Sequence, residues 1–308
     1  MSHDIIGDIH GHADRLEALL QALGYRRLNG AWRHPARTAV FVGDLIDRGP
    51  GQLRTLELVR AMIDAGSARA VMGNHELNAI AWATPHADIE GDHLRTRMGP
   101  KGEKNRHQHA AFLSEVGADT PEHRAWIDWF YQLPLWIEES SFRVVHACWS
   151  PGHAAVLKSH LGDQGRLTPG DIDAASRPGS AIHDAVDTLL KGVEVELPGG
   201  ATFTDKDGHV RNAIRTRWWD PQLVSLGEAY IGPSGIVLPD GDIPPDSRIE
   251  EPDRPTFIGH YWFDPEGPPA PASRRVACVD YSVAKGGPLV SYRFDGAPAL
   301  SAAHFVAV

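Results

Sequence analysis

The sequence predicts an α/β fold, and three stretches carry that prediction. Each couples a short apolar run to a glycine-led polar loop and then to residues at helical spacing. Ile5-Ile6 precede Gly7-Asp8-Ile9-His10-Gly11-His12. Thr38 to Val42 precede Gly43-Asp44-Leu45-Ile46-Asp47-Arg48-Gly49-Pro50, and Ala68 to Met72 precede Gly73-Asn74-His75-Glu76. Repeated strand–loop–helix units imply parallel strands joined by crossovers, which gathers the loops at the carboxyl ends of the strands.

Taken in order, residues 4–6 read as a buried strand. Residues 14–23 read as a helix with Leu16, Leu19, Leu20 and Leu23 on its inner face, closed by Gly24. The strand 38–42 is followed by a helix through Leu53, Leu56, Leu58, Val59 and Ile63, and then by a strand over 68–72. From 77 to 120 the periodicity weakens and the segment reads as a surface insertion or cap. Its histidines His86, His93, His107 and His109 lack the i, i+4 or Cys-based register of a second metal site. An aromatic helix is expected over 126–133 and a strand over 142–145, ending at His146.

A second insertion, 151–250, is rich in Gly, Pro and Asp, with one helix expected over 181–191. Within it, Arg215-Thr216-Arg217-Trp218-Trp219-Asp220-Pro221 reads equally as a half-buried aromatic strand or as a substrate-facing wall carrying a guanidinium. Strands over 256–258, 275–280, 289–294 and 304–308 complete the chain, the first leading into Gly259-His260. The expectation is one domain, 1–308, with cap segments 77–120 and 151–250.

Composition narrows the function classes. The chain has 308 residues, 42% of them hydrophobic and 23% charged, as in ordinary globular proteins. No apolar run has the length of a membrane span, and the N-terminus lacks a signal-peptide pattern. Cys148 and Cys278 read as two reduced core thiols, which with the rest predicts a cytoplasmic protein. A net charge of −10 argues against a nucleic-acid backbone as partner.

The strand ends collect Asp8, His10, Asp44, Asn74, His146 and His260. Mixed carboxylate, imidazole and amide donors suit Mn²⁺, Fe or Zn²⁺ better than Ca²⁺, which wants oxygen throughout. Six donors serve two ions if one carboxylate bridges them. Two ions roughly 3.5–4 Å apart can clamp the attacking and leaving oxygens of a phosphoryl displacement. His12 is then left over, at the rim of the site.

The series GDIHG, GDLIDRG and GNHE, followed by His146 and Gly259-His260, resembles the calcineurin-like metallophosphoesterase superfamily. The Asp-Arg-Gly of the second motif is similar to the phosphoprotein phosphatase branch, which holds Ser/Thr protein phosphatases and diadenosine tetraphosphatases. The first 80 residues are also similar to the phosphatase module of bacterial polynucleotide kinase–phosphatases. The resemblance implies a β-sandwich of mixed sheets flanked by helices, a four-layer αββα arrangement with an irregular insertion.

It also implies roles. Asp8 and His10 would bind one metal, Asp44 would bridge, and Asn74, His146 and His260 would bind the other, with Mn²⁺ the first choice of ion. His75, oriented by Asp47, would protonate the leaving oxygen, and Arg48 would grip the phosphate. The nucleophile would be a metal-bridging hydroxide attacking in line. The family's second phosphate-gripping arginine has Arg215 and Arg217 as its candidates here. Two departures place large aromatics beside second-metal ligands: Cys148-Trp149 after Ala147, and Tyr261-Trp262 after His260. Tyr261 is accordingly a candidate substrate contact, with core packing the competing reading.

The functional expectation is a two-metal phosphomonoesterase acting on a phosphoprotein, nucleotide or small phosphoester. A nucleotide or RNA-end phosphoesterase is the alternative, and an inactive phospho-ligand module the weakest reading.

Overall fold

The computed structural model describes residues 2–204, 210–232 and 235–308. Two mixed sheets face each other. The first contains β1 (Ser2–Ile6), β2 (Arg37–Phe41), β3 (Ala68–Ala70), and two strands near the C-terminus, Val290–Phe294 and Phe305–Ala307. The second contains β4 (Trp136–Glu138), β5 (Arg143–Val145), β6 (Thr256–Ile258) and β7 (Val276–Cys278). Numbering the last two strands of the first sheet β8 and β9, its order is β9-β8-β1-β2-β3 and that of the second is β7-β6-β5-β4. The β1–β2 and β2–β3 pairs are parallel, as the crossover reading requires, while β8 runs antiparallel to β1.

Side-chain alternation explains why the central strands are apolar on both faces. Ile5, Val40, Val144, Phe257, Ala277 and Phe294 fill the space between the sheets. Their neighbours Ile6, Phe41, Val145, Ile258 and Cys278 point the other way, into the helix-covered core. The layers are therefore helix, sheet, sheet, helix.

Helices α1 (Ala13–Ala22) and α2 (Gln52–Asp64) lie where their leucine spacing predicts. The segment 77–120 is more regular than its composition suggests. It contains α3 (Asn74–Ala83, which begins within the third motif), α4 (Gly99–Gln108) and α5 (Ala110–Val116). The aromatic helix, α6, starts earlier than expected, at Pro121–Phe130, because Thr120 caps it by accepting from the His123 N–H and Pro121 supplies a first-turn residue needing no donor.

Shorter or less periodic elements do not show in the sequence. Strand β4 is only three residues long, and in α7 (Pro151–Leu161) the apolar residues Ala154 to Leu157 are consecutive, so no helical period stands out. Helix α8 (Ala181–Lys191) is as expected, capped by Ser180, which accepts from His183 N at 2.9 Å. The rest of 151–250 carries two small hairpins, Glu194–Glu196 with Ala213–Arg215 and Phe203–Thr204 with Val210–Arg211. Residues 205–209, within the Gly- and Asp-rich stretch, and 233–234 lie outside the described residues. Among the described residues no helix is long and apolar enough to cross a membrane.

Candidate metal centre

The loops after β1, β2 and β3 meet the loops after β5 and β6 at one end of both sheets. Close backbone approach makes this possible. A Cβ on Gly43 would stand 2.5 Å from Gly73 N, and one on Gly259 would stand 2.0 Å from Asp8 Oδ1. Nine non-glycine residues among those described have positive φ, and six of them belong here: His10, Asp44, Asp47, Arg48, His260 and Trp262. Side chains in that left-handed region are strained, and such residues cluster where surrounding contacts hold them to a task.

Glu76 ties two of the loops together. Its Oε2 accepts from Asp44 N (2.9 Å) and Gly73 N (2.8 Å), and its Oε1 accepts from Leu45 N (2.9 Å). Burial and the nearby Asp44 carboxylate push Glu76 up to about 7 against these three donors. Its place in the third motif is thus a matter of loop assembly.

Two groups of donor atoms result, each within 4.8 Å: His10, Asp44 and His75, and Asp44, His146 and His260. Asp44 is common to both. Its Oδ2 lies 3.7 Å from His10 Nε2, and its Oδ1 lies 3.4 Å from His146 Nε2. Asn74 joins the second group, with Oδ1 at 3.1 Å from His146 Nε2 and 2.9 Å from His260 Nδ1. Asp8 is anchored by Oδ2, which accepts from His260 N at 3.0 Å, and its Oδ1 is buried without a partner among the described residues.

The donor set fits cations. His10 Nδ1 donates to Ile46 O (3.0 Å), leaving the lone pair of Nε2 buried and unpartnered. Burial, then the adjacent His75, lower His10 to about 3, so this ring stays neutral. His260 is also held neutral, by burial and then by the charge of Arg215, and its Nε2 is unpartnered. Burial and the carboxylate of Asp280 push Asp8 well above the usual carboxylate range. Buried acids that repel one another beside neutral imidazoles are the electrostatic counterpart of a missing positive charge.

His75 Nδ1 donates to Asp47 Oδ2 at 2.5 Å, and its Nε2 lies 3.9 Å from Asp44 Oδ2, so the ring faces the centre. Although burial works against it, the carboxylates of Asp44 and Asp47 raise His75 above its ordinary value. Arg48 is exposed at the mouth. Its Cζ lies 4.2 Å from the centroid of Trp262, and Trp262 lies beside His10 at 6.1 Å between rings.

The remaining candidates separate. Arg215 is near enough to His260 for its charge to matter there, whereas Arg217 is exposed. Tyr261, 6% exposed, packs on Trp219 at 5.1 Å between rings, and its hydroxyl fills the space that a Gly192 side chain would need. Tyr261 therefore faces the core, which corrects its reading as a substrate contact. Trp149 is also buried, against Trp136. Trp262 is the aromatic that reaches the site. His12 belongs to neither donor group and packs against Gly49.

Two residues escaped the sequence reading. Asp280 follows β7 just as the other acids follow their strands, and it accepts from Trp262 N (2.8 Å) and Ser282 N (3.0 Å). His109, read as part of a surface insertion, is 3% exposed and donates from Nδ1 to Asp47 Oδ1 at 2.7 Å.

Comparison with known proteins places the chain in a family. The family model for calcineurin-like phosphoesterases matches residues 1–220. A bis(5'-nucleosyl)-tetraphosphatase PrpE (asymmetrical) from Oceanobacillus iheyensis is 28% identical over 188 residues, 58% of this chain and 69% of that protein. A symmetrical bis(5'-nucleosyl)-tetraphosphatase from Vibrio cholerae is 34% identical over 152 residues, 49% of this chain and 46% of the relative, so the chain spans about half the length of that enzyme. Among solved structures, a protein serine/threonine phosphatase from Saccharomyces cerevisiae with similarity to human phosphatase PP5 superposes with a TM-score of 0.52. It is 14% identical, and the match covers 100% of this chain and 79% of the yeast one, a likeness of fold. With a family model matched over more than half its length, the chain belongs to the calcineurin-like phosphoesterase family.

Proposed function

We propose that this protein is a two-metal phosphoester hydrolase. The observation that carries the reading is Asp44, whose two carboxylate oxygens face two different groups of buried donors. Asp8, His10 and Asp44 would hold one ion, and Asp44, Asn74, His146 and His260 the other. The nitrogen and oxygen donors, with no thiolate among them, suit Mn²⁺ first and Fe or Zn²⁺ next. Such a pair of cations supplies Lewis acidity to the phosphoryl oxygens and a nucleophile at neutral pH.

The protein's own groups do the rest. Arg48, with Trp262 against its guanidinium, binds non-bridging phosphate oxygens, for which its planar fork is suited. Arg215 is the second such group, on the side of His260. His75, aligned by Asp47, delivers a proton from Nε2 to the departing oxygen.

The reading is tested with purified protein and added Mn²⁺. The expected result is hydrolysis of p-nitrophenyl phosphate and of an alkyl phosphate such as glycerol 2-phosphate, the alkyl ester reduced by a factor on the order of 10² in His75→Ala and the aryl ester far less. No hydrolysis under any divalent metal would sink it. For substrate class, the simple phosphomonoester reading competes with a dinucleoside polyphosphate, the substrate named for the bacterial relatives. Comparing kcat/KM for a phosphopeptide, p-nitrophenyl phosphate and diadenosine tetraphosphate decides between them. A large preference for the last overturns the monoester reading.

Metal loading carries its own pH signature. Burial works against the charge on His146, yet Asp44 raises the ring to about 10. Its Nδ1 proton is committed to Val42 O at 2.8 Å, so the proton that an arriving ion displaces is the one on Nε2. Loading should release about one proton per ion at this site, with affinity rising about tenfold per pH unit between roughly pH 7 and pH 10. Calorimetric titrations in buffers of different ionisation heat measure this directly. A proton count near zero at pH 8 would contradict it.

A further inference from the structure

We infer that His109 is a positioning residue for the proton donor His75, acting through Asp47. The inference rests on the role proposed for His75, and adds to it a third group from a different part of the chain.

Asp47 accepts on both oxygens, from His75 Nδ1 on Oδ2 (2.5 Å) and from His109 Nδ1 on Oδ1 (2.7 Å). Its backbone N–H is held by Gln52 Oε1 at 2.6 Å. The residue is thus fixed at three points, two of them on its carboxylate, and 2% exposure leaves little water to replace any of them. A carboxylate held on one oxygen alone can swing about its Cβ–Cγ bond, and His75 would swing with it. With both oxygens engaged, the His75 ring has one orientation, Nε2 toward the metal centre.

The surroundings of His109 favour this role over simple packing. Its ring lies tilted against Phe112 (5.1 Å) and Trp82 (6.1 Å), neighbours that a phenyl group would meet equally well. Among the described residues its Nε2 has no partner, so the bond to Asp47 is the polar contact that accounts for an imidazole here. The corner between α4 and α5 that carries His109 is also tied to the helix carrying His75. Arg95 donates to Gln108 Oε1 (2.7 Å) and to Asn78 Oδ1 (2.8 Å), and Asn78 lies three residues beyond His75.

The orientation of His75 matters in one step. In the step concerned, the oxygen of the attacking hydroxide bonds to phosphorus as the P–O bond to the leaving group breaks, and the electron pair of the broken bond stays on the leaving oxygen. The proton passes from His75 Nε2 to that oxygen, leaving His75 neutral until solvent reprotonates it. Leaving groups that are poor without a proton depend on this step, and p-nitrophenolate depends on it little.

Steady-state kinetics on the Mn²⁺-loaded protein, with p-nitrophenyl phosphate and an alkyl phosphate such as glycerol 2-phosphate, tests the inference. His109→Phe keeps the ring and removes the donor. It should lower kcat for the alkyl ester about tenfold and for the aryl ester about twofold, with KM nearly constant. His109→Asn, which retains a donor near the Nδ1 position, should recover most of the loss, and His109→Gln, whose amide reaches further, should not. Equal losses on both esters, or no loss on either, overturn the role. If His109→Phe fails to fold, the Asn and Gln variants decide by the same ratio. His75→Ala separates the two levels. If it shows the leaving-group signature and the His109 variants do not, only this inference falls. If it shows none, the reading of His75 falls first.

Discussion

Replacing Asp44 with Asn is expected to reduce kcat/KM by roughly 10⁴ and to strip metal from the protein, far more than Arg48→Ala. The reason is that one side chain serves both donor groups. Oδ2 faces His10 Nε2 and His75 Nε2, while Oδ1 faces His146 Nε2 and accepts from the His75 backbone N–H at 2.9 Å. An amide keeps one oxygen and replaces the other with an NH₂ that cannot ligate a cation, so one group loses its carboxylate whichever way the amide turns. The charge lost also leaves both cations less favoured. An ion that contributes several kcal/mol to transition-state stabilisation accounts for a factor of roughly 10⁴ when it is absent.

Arg48 is a different case. Its guanidinium lies at the mouth, supported by Trp262 and outside both donor groups. Removing one phosphate-gripping group should cost on the order of 10² in rate and leave the metals bound. Metal analysis of the three proteins beside their kinetics checks both statements. Equal kinetic losses with unchanged metal content in Asp44→Asn would mean that Asp44 does not bridge.

Glu76→Gln should be the most damaging conservative change away from the donor atoms themselves. Three backbone N–H groups from two loops converge on this carboxylate, and all are buried. Glutamine can satisfy either the one donor on Oε1 or the two on Oε2. Its NH₂ then points at whichever donors remain, leaving buried N–H groups without acceptors. Charge-assisted bonds lost and donors left unpaired sum to about 3 kcal/mol or more. For a chain of this size that is a fall in Tm of roughly 6 °C or more. Because the loops carrying Asp44 and Asn74 lose their tie, metal affinity should fall too, although Glu76 touches no metal-ligand atom other than backbone. A thermal melt with and without Mn²⁺ measures both. A variant with wild-type Tm and metal content would show that the loops do not depend on this contact.

Residues that act where they are anchored by a strand were readable in the sequence. Asp8, His10, Asp44, Asn74, His146 and His260 each follow the end of an apolar run, and a strand's end fixes where its next residues go. The parallel arrangement of β1, β2 and β3 follows from the same pattern, because crossover helices leave few alternatives.

Tertiary structure decided what depended on partners distant in sequence. His109 stands 62 residues from Asp47, in a polar stretch whose composition reads as surface, and only the fold, which sets it against Trp82 and Phe112, buries it. Arg215 and Arg217 are indistinguishable by type and spacing, yet folding sets one near His260 and leaves the other exposed. Tyr261 and Trp262 are adjacent, and the turn of the backbone at His260 sends one ring into the core and the other to Arg48. Local sequence determined which groups can hold ions and phosphate, because that capacity belongs to each side chain and its strand. Which groups align, bury and orient them depends on long-range packing, a property that no short stretch contains.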